Sequence, residues 1–385
     1  IFNSNDMKLK YLLLLLIVLV GCSNPSESVK QEVKVLNVPL LANENEVMMS
    51  TFVDSISYIP LETKDNCLIG NIDKIIATDD FYYIIDRNIS CSVLCFDKSG
   101  RFVRKYGNRG VGAGEYIEIT DVNVYKDKIY LWDCSLRKLF VFDHSNNLVR
   151  EEHIDYMAST FSVLDDSWIA FFGNYKRNKK YSQNGLSPNL LFVNIDNKQM
   201  KSDLFFDSRI RSNGIVLSDF NFVSNGNLVT SLNDTVYQAL PAAILKRKYV
   251  VQFGERYLKA QKDYLEKLKT EVIDVRQVDK FMKEIPYMHA FLETPSYSIL
   301  RYGFGDYFYL GIVNHKESDT YIEASGFHKS SIINDMDGIA VFIPLASYKN
   351  AVYTYMSPEA IAFDMIPGKQ IKPDDNPIIV KFELK

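Results

Sequence analysis

Two stretches of this chain follow the same pattern one short interval apart. The first reads Tyr82-Tyr83-Ile84-Ile85-Asp86, then Cys95-Phe96-Asp97-Lys98-Ser99-Gly100-Arg101-Phe102-Val103-Arg104. The second reads Ile129-Tyr130-Leu131-Trp132-Asp133, then Val141-Phe142-Asp143-His144-Ser145-Asn146-Asn147-Leu148-Val149-Arg150. Asp86 and Asp133 are 47 residues apart, and Asp97 and Asp143 are 46 apart. Each copy is a strand ending in Asp, a second strand ending in Phe-Asp, a tight turn and a third strand. Asp, Ser, Gly and Asn supply the positive φ and the local hydrogen bonds that such turns need. One such unit cannot bury its own faces, so neighbours have to stack.

Weaker copies follow. Trp168–Phe172 with Leu190–Asp196 form a third unit, and Asn227–Leu232, Asn233–Tyr237 and Arg247–Phe253 a fourth. Tyr297–Tyr302, Tyr307–Asn314 and Thr320–Ile322 make a fifth. Ser331–Phe342 and Ala351–Tyr355 begin a sixth, and Ile378–Leu384 is a closing strand. The expected fold is all-β, a six-bladed β-propeller of antiparallel sheets over residues 46–385, closed so that only short edges remain. The last strand is expected to pair with one from the N-terminal part. With 24 Tyr, 24 Phe and 2 Trp, aromatic residues are 13% of the chain, which favours strands.

One segment breaks the pattern. Leu258, Leu265, Leu268, Val272, Val275, Val278, Met282 and Ile285 recur at helical spacings before Pro286. This predicts a helical insertion, residues 255–286, between blades four and five, packed on one face of the disc. A helix lying on a membrane is the competing reading, and its mixed acidic and basic polar face argues against it.

The N-terminal stretch reads as an address. The apolar run Tyr11–Val20 is ten residues, whereas a membrane-spanning helix needs about 20. It follows Lys8 and Lys10 and ends in Leu19-Val20-Gly21-Cys22, the plan of a secretory signal over residues 1–21, with Met7 as the natural start. Cys after Leu-Val-Gly resembles the bacterial lipoprotein signal, which implies acylation of Cys22 after cleavage. The mature chain then has 42 basic and 47 acidic residues. That balance offers no electrostatic footprint for nucleic acid. Residues 22–45 read as a lipidated tether, which would place the protein as an outer-membrane lipoprotein, periplasmic or surface-facing. Cys67, Cys91, Cys95 and Cys134 read as buried small hydrophobes, with a Cys134 disulfide to the first blade left open.

A family resemblance rests on particular runs. Ile56-Ser57-Tyr58-Ile59-Pro60-Leu61-Glu62-Thr63 with Leu68–Ile75, then Tyr106-Gly107-Asn108-Arg109-Gly110-Val111-Gly112-Ala113-Gly114-Glu115-Tyr116, resemble the Bacteroidetes-type six-bladed β-propeller lipoproteins, relatives of the NHL-repeat propellers. Asn233-Asp234-Thr235-Val236-Tyr237 and Asn334-Asp335-Met336-Asp337-Gly338 are similar to the family's later signatures, whereas Ala113 stands where the family usually has Pro. The resemblance implies the fold and leaves the activity open.

Candidate chemistry is sparse. Gly110, Gly112 and Gly114 lead into a strand and no Lys-Ser/Thr follows, so they read as an inter-blade crossover and not as a phosphate loop. The histidines at 144, 153, 289, 315 and 328 show no metal spacing, and no Gly-x-Ser-x-Gly elbow occurs. No cofactor or metal is expected. Asp335 and Asp337 fit a turn, a carboxylate pair for sugar hydrolysis, or part of a calcium site. Asp86, Arg87, Asp133, Arg137, Asn174, Asn233 and Asp234 are candidates to line a polar depression at the channel, or else to cap strand ends and bridge blades. The leading expectation is a monomeric, non-catalytic module binding a glycan, a peptide or an envelope protein. The alternatives are a carbohydrate hydrolase or lyase, and a structural partner in a cell-envelope complex.

Overall fold

The computed structural model describes residues 33–38, 46–210, 221, 222, 226–271, 275–317, 320–325, 331–360, 366 and 370–385. The expected signal 1–21, Cys22, His328, Val272 and residues 23–32 and 39–45 of the expected tether lie outside them. The chain divides into two compact units, Ile1–Lys34 and Val35–Lys385, and the second holds the propeller.

Among the described residues, strands pair into six four-stranded sheets. Blade one is Lys74–Ala77, Phe81–Asp86, Ser92–Asp97 and Phe102–Tyr106. Blade two is Asp121–Tyr125, Lys128–Asp133, Lys138–Phe142 and Leu148–His153. Blade three is Thr160–Val163, Trp168–Phe172, Leu186–Asn194 and Met200–Asp207. Blade four has Asn227–Leu228, Thr235–Leu240 and Ile244–Val251, with Phe222 bridging to Leu228 on its inner side. Blade five is Tyr287–Glu293, Tyr297–Phe304, Tyr307–Asn314 and Thr320–Ser325. Blade six is Ala346–Tyr348, Ala351–Met356 and Ile378–Leu384, finished by Val53–Pro60.

The second strands are apolar without alternation because each is covered on both sides. Tyr82 and Ile84 pack with Ala351, Tyr353 and Ile379 of blade six. Tyr83 and Ile85 pack with Val122, Leu131 and Phe140 of blade two. Such a wedge lies between every pair of neighbouring blades, so the core is a ring of six inter-blade layers. The repeated Phe-Asp is turn chemistry. Asp97 Oδ1 accepts from the Ser99 and Arg101 amides at 2.9 and 3.1 Å, and Asp143 Oδ1 accepts from the Asn147 amide at 2.8 Å. Three residues after each aspartate the backbone turns left-handed, at Gly100 (φ 87°) and Asn146 (φ 68°). At Gly100 a Cβ would lie 2.1 Å from the Pro60 carbonyl oxygen, so only glycine fits.

Closure follows the expectation. Ile378–Leu384 runs antiparallel to Val53–Pro60, from Ile378 opposite Pro60 to Leu384 opposite Val53. Two segments differ. Lys34–Leu36, inside the stretch expected to be a tether, is a strand on the outer edge of the blade-four sheet, and Leu36 and Val38 are buried between blades four and five. Ser331–Phe342 does not begin blade six. Ile332–Ile333 pairs in parallel with Val47–Met48, and Phe342 packs edge-on against Phe52 and Phe382, sealing the rim between blades five and six. Both segments carry only a few apolar residues, enough to fill a wedge but not to show a period.

The insertion is helical as expected: α1 (Glu255–Thr270) and α2 (Val275–Glu284). Tyr264, Leu268, Phe281 and Ile285 pack on Tyr175, Phe206 and Leu232 of blades three and four, so this part of the apolar stripe is covered by the propeller. Among the described residues no helix is long and apolar enough to cross a membrane.

Candidate functional site

Antiparallel pairing sorts the connections onto two faces. Turns between first and second and between third and fourth strands lie on one, here the turn face. Loops between second and third strands, and the crossovers between blades, lie on the other.

Asp86 and Asp133 end second strands on the crossover face, and both are fully buried. Asp86 accepts from the amides of Gly70 (2.8 Å), Asn71 (3.1 Å), Ile89 (2.9 Å) and Ser90 (3.1 Å). Asp133 accepts from Ile117 (2.7 Å), Glu118 (3.1 Å) and Leu136 (2.9 Å). In each blade the carboxylate staples the incoming crossover, starting 16 residues upstream, to the loop that follows the strand. Burial would raise the Asp86 carboxyl, but the amides of Ile89, Ser90 and Gly70 outweigh it and hold the group below the ordinary carboxylate range. These two carboxylates bridge the fold, and their contacts are those of strand caps.

The other candidates also have local tasks. Arg87 is nearly enclosed, with Nη2 3.8 Å from Asp121 Oδ1. Asp121, buried at the start of the blade-two first strand, accepts from Lys74 Nζ (2.8 Å), Thr160 Oγ1 (2.5 Å) and the Phe161 amide (3.1 Å). One carboxylate thus ties the first strands of blades one, two and three together. Arg137 pairs with Asp155 at 2.8 Å, and Asn174 is buried. Asn233 Oδ1 accepts from the Thr235 amide (2.9 Å), and Asp234 Oδ1 from Thr235 Oγ1 (2.9 Å). Asp335 and Asp337 lie on the rim segment. Asp335 accepts from the Ser50 amide (2.9 Å) and hydroxyl (2.5 Å), and Asp337 from Tyr58 OH (2.8 Å). Asn334 Oδ1 receives the Met336 and Asp337 amides, which makes the motif a turn that pins the N-terminal arm. The Gly-rich loop is a crossover, and of its three glycines only Gly114 (φ 76°) is left-handed. Cys67, Cys91, Cys95 and Cys134 are free thiols, and burial pushes Cys95 up to about 12.

The concave site lies elsewhere. A cavity of about 670 Å³ occupies the propeller axis, lined by first strands and by turns of the turn face. Lys74, Ile76, Asn123, Ser162, Phe222 and Gly226 form its wall; Asp79, Asp80, Phe81, Tyr125, Lys126, Asp127, Pro241 and Tyr348 surround its mouth. Lys126 pairs with Asp166 at 2.6 Å, and Lys349 pairs with Asp79, drawing that carboxyl below its usual range. Asn123 Nδ2 donates to the Phe161 carbonyl at 2.8 Å, so the wall is braced between blades. Sequence reasoning missed this site because it anchored the repeat on the second strands. The first strands are only four or five residues in blades one to three, and their turns, Thr78-Asp79-Asp80 and Lys126-Asp127, read as ordinary hairpin chemistry. The available signal was their place in the repeat: one step before each apolar second strand. Among the described residues no group of three or more His, Cys, Asp or Glu could hold a metal ion.

Comparison with known proteins places this geometry in a family. Residues 33–383 match the family described as Domain of unknown function (DUF4934). The chain belongs to it. No curated protein sequence matches. Among solved structures, a Bacteroides fragilis protein described as a candidate exported protein superposes with a TM-score of 0.65 at 14% identity, covering 91% of this chain and all of that one. A DUF4221 family member from Bacteroides vulgatus gives 0.50 at 9% identity, covering 86% and 97%. Virginiamycin B lyase from Staphylococcus aureus gives 0.41 at 8% identity, covering 86% and 99%, too distant to bear on chemistry. The DUF4934 match begins at residue 33, so it takes in the strand Lys34–Leu36, and the Bacteroides relatives agree with the Bacteroidetes-type propeller resemblance.

Proposed function

We propose that this DUF4934 chain is a lipid-anchored, extracytoplasmic binding module whose axial cavity takes a ligand from the turn face and does no chemistry on it. The observation that carries the reading is the cavity itself, about 670 Å³ inside a ring whose first strands are cross-braced. That volume falls in the range of small-molecule sites, and a prebuilt wall loses little ordering entropy on binding. Leu19-Val20-Gly21-Cys22 supports the anchor, and the Bacteroides fragilis relative described as a candidate exported protein supports the address. The structural-partner alternative would be favoured by an exposed apolar stripe over the insertion, and Leu268 and Ile285 of that stripe are instead buried against blades three and four, with Leu265 and Val278 partly so.

The test is titration of the mature protein with glycans and envelope peptides, following heat of binding and analysing the ligand afterwards. Saturable binding weakened by Tyr125→Ala, with the ligand recovered intact, is the expected result. Turnover of the ligand would establish an enzyme instead. Binding that ignores Tyr125 and fails in Arg87→Ala or Arg137→Ala would move the site to the crossover face.

A further inference from the structure

We infer that the axial cavity is built for an uncharged saccharide, the end of a glycan entering through the turn-face mouth. This rests on the binding reading above and gives it a ligand class.

Charge decides against an anion. The two lysines that line the cavity are both engaged: Lys74 with buried Asp121 at 2.8 Å and Lys126 with Asp166 at 2.6 Å. A sulfate, phosphate or uronate would have to break one of these pairs, and breaking the buried one would leave Asp121 with only the longer 3.8 Å contact to Arg87 as counter-charge. Among the charged residues that line the mouth, Asp79, Asp80 and Asp127 outnumber Lys126, so an approaching anion also meets like charge.

The remaining lining suits a sugar. Tyr348, Phe81 and Tyr125 come from three consecutive blades, six, one and two, and are half-buried at the mouth. Tyr125 and Tyr348 occupy the same place in their blades, the last residue of the first strand. A pyranose ring has apolar C–H faces that pack on aromatic surface by dispersion and an equator of hydroxyls that must be hydrogen-bonded. Asp80 and Asp127 accept from such hydroxyls, while Ser162 further in can donate or accept. Rings and carboxylate acceptors at the mouth, with a neutral hydroxyl further in, would hold a sugar by its faces and orient it by its hydroxyls.

The experiment uses the whole mature protein against three probe classes: neutral gluco-, manno- and xylo-oligosaccharides, polygalacturonate oligomers, and chitosan oligomers. Neutral oligosaccharides should bind with an affinity unchanged between low and high salt, because no ion pair forms. Tyr125→Ala and Tyr348→Ala should each weaken binding by about tenfold or more. Asp80→Asn keeps an acceptor and should change affinity by no more than about threefold for a neutral ligand, but by well over tenfold for a cationic one. Unchanged melting of each variant excludes misfolding. Binding of only polygalacturonate or chitosan, still dependent on Tyr125, would overturn the ligand class while leaving the binding module intact. A non-carbohydrate ligand dependent on Tyr125 would do the same. Failure of every neutral oligosaccharide with folded wild-type protein overturns the inference.

Discussion

Asp86 and Asp133 show how one side chain can fix a repeat. Each is fully buried and receives three or four backbone amides, donors that would be left without partners if the carboxylate were removed. Unsatisfied buried donors cost roughly 1–3 kcal/mol each, so Asp86→Ala should lower unfolding free energy by about 3 kcal/mol or more. Urea denaturation checks this, and a loss below about 1 kcal/mol would contradict the stapling role. His289 sits at a β-bulge in the blade-five first strand, and burial, with Arg301 nearby, pushes its imidazole from 6.5 down to about 4. Between these values the unfolded chain binds a proton that the folded one refuses. Stability from this group is therefore full above about 6.5 and is lost as pH falls toward 4, by up to roughly 3 kcal/mol. Against wild type, His289→Gln should flatten the dependence of unfolding free energy on pH in that window. Parallel curves for the two proteins would remove His289 as the cause.

Strands, not residues, decide whether the ring closes. Ile379, Val380 and Phe382 are fully buried between blade five, blade six and blade one, and their strand is the one hydrogen-bonded to Val53–Pro60. Deleting residues 377–385 should abolish the single cooperative melting transition, because Val53–Pro60 and Ala351–Met356 would then both face an open edge. A truncated protein melting at the full-length temperature would refute closure by this strand. Removing residues 33–38 should act differently, lowering the melting temperature by several degrees while keeping one transition, since only an outer strand and two wedge residues, Leu36 and Val38, are lost. This contrast also marks what could be read from sequence. The 46- and 47-residue repeat exposed the second and third strands because burial on both sides makes them long apolar runs. Lys34–Leu36 and Ile332–Ile333 gain their places from tertiary pairing alone, and a two- or three-residue strand has no period to detect. The site divided the same way. The polar residues conspicuous in the repeat, Asp86 and Asp133, are conspicuous because the fold needs them, whereas the cavity is lined by turns whose sequence any hairpin could carry.

At the scale of the molecule, the proposed anchor and the ring are predicted to have separable roles. The propeller is stabilised by six inter-blade wedges and closed by its own strand, all built from described residues. The sequence before residue 33 has the order of an address: Lys8 and Lys10, an apolar run, then Leu19-Val20-Gly21-Cys22. If Cys22 carries the lipid, residues 23–32 would join it to the ring, a stretch whose full extension is roughly 35 Å. Held on such a lead, the cavity would sample ligands at the membrane surface while binding them with its intrinsic affinity. Two measurements on one variant test the division. Cys22→Ser should move the protein from the membrane to the soluble fraction, since the acyl chains supply the membrane affinity and no described helix can span. The released protein should bind the same ligand with a dissociation constant within about twofold of wild type, because no wall of the cavity has changed. Membrane fractionation unaltered by the substitution would reject the lipid anchor, and a released protein with weakened binding would show that anchor and ring are coupled.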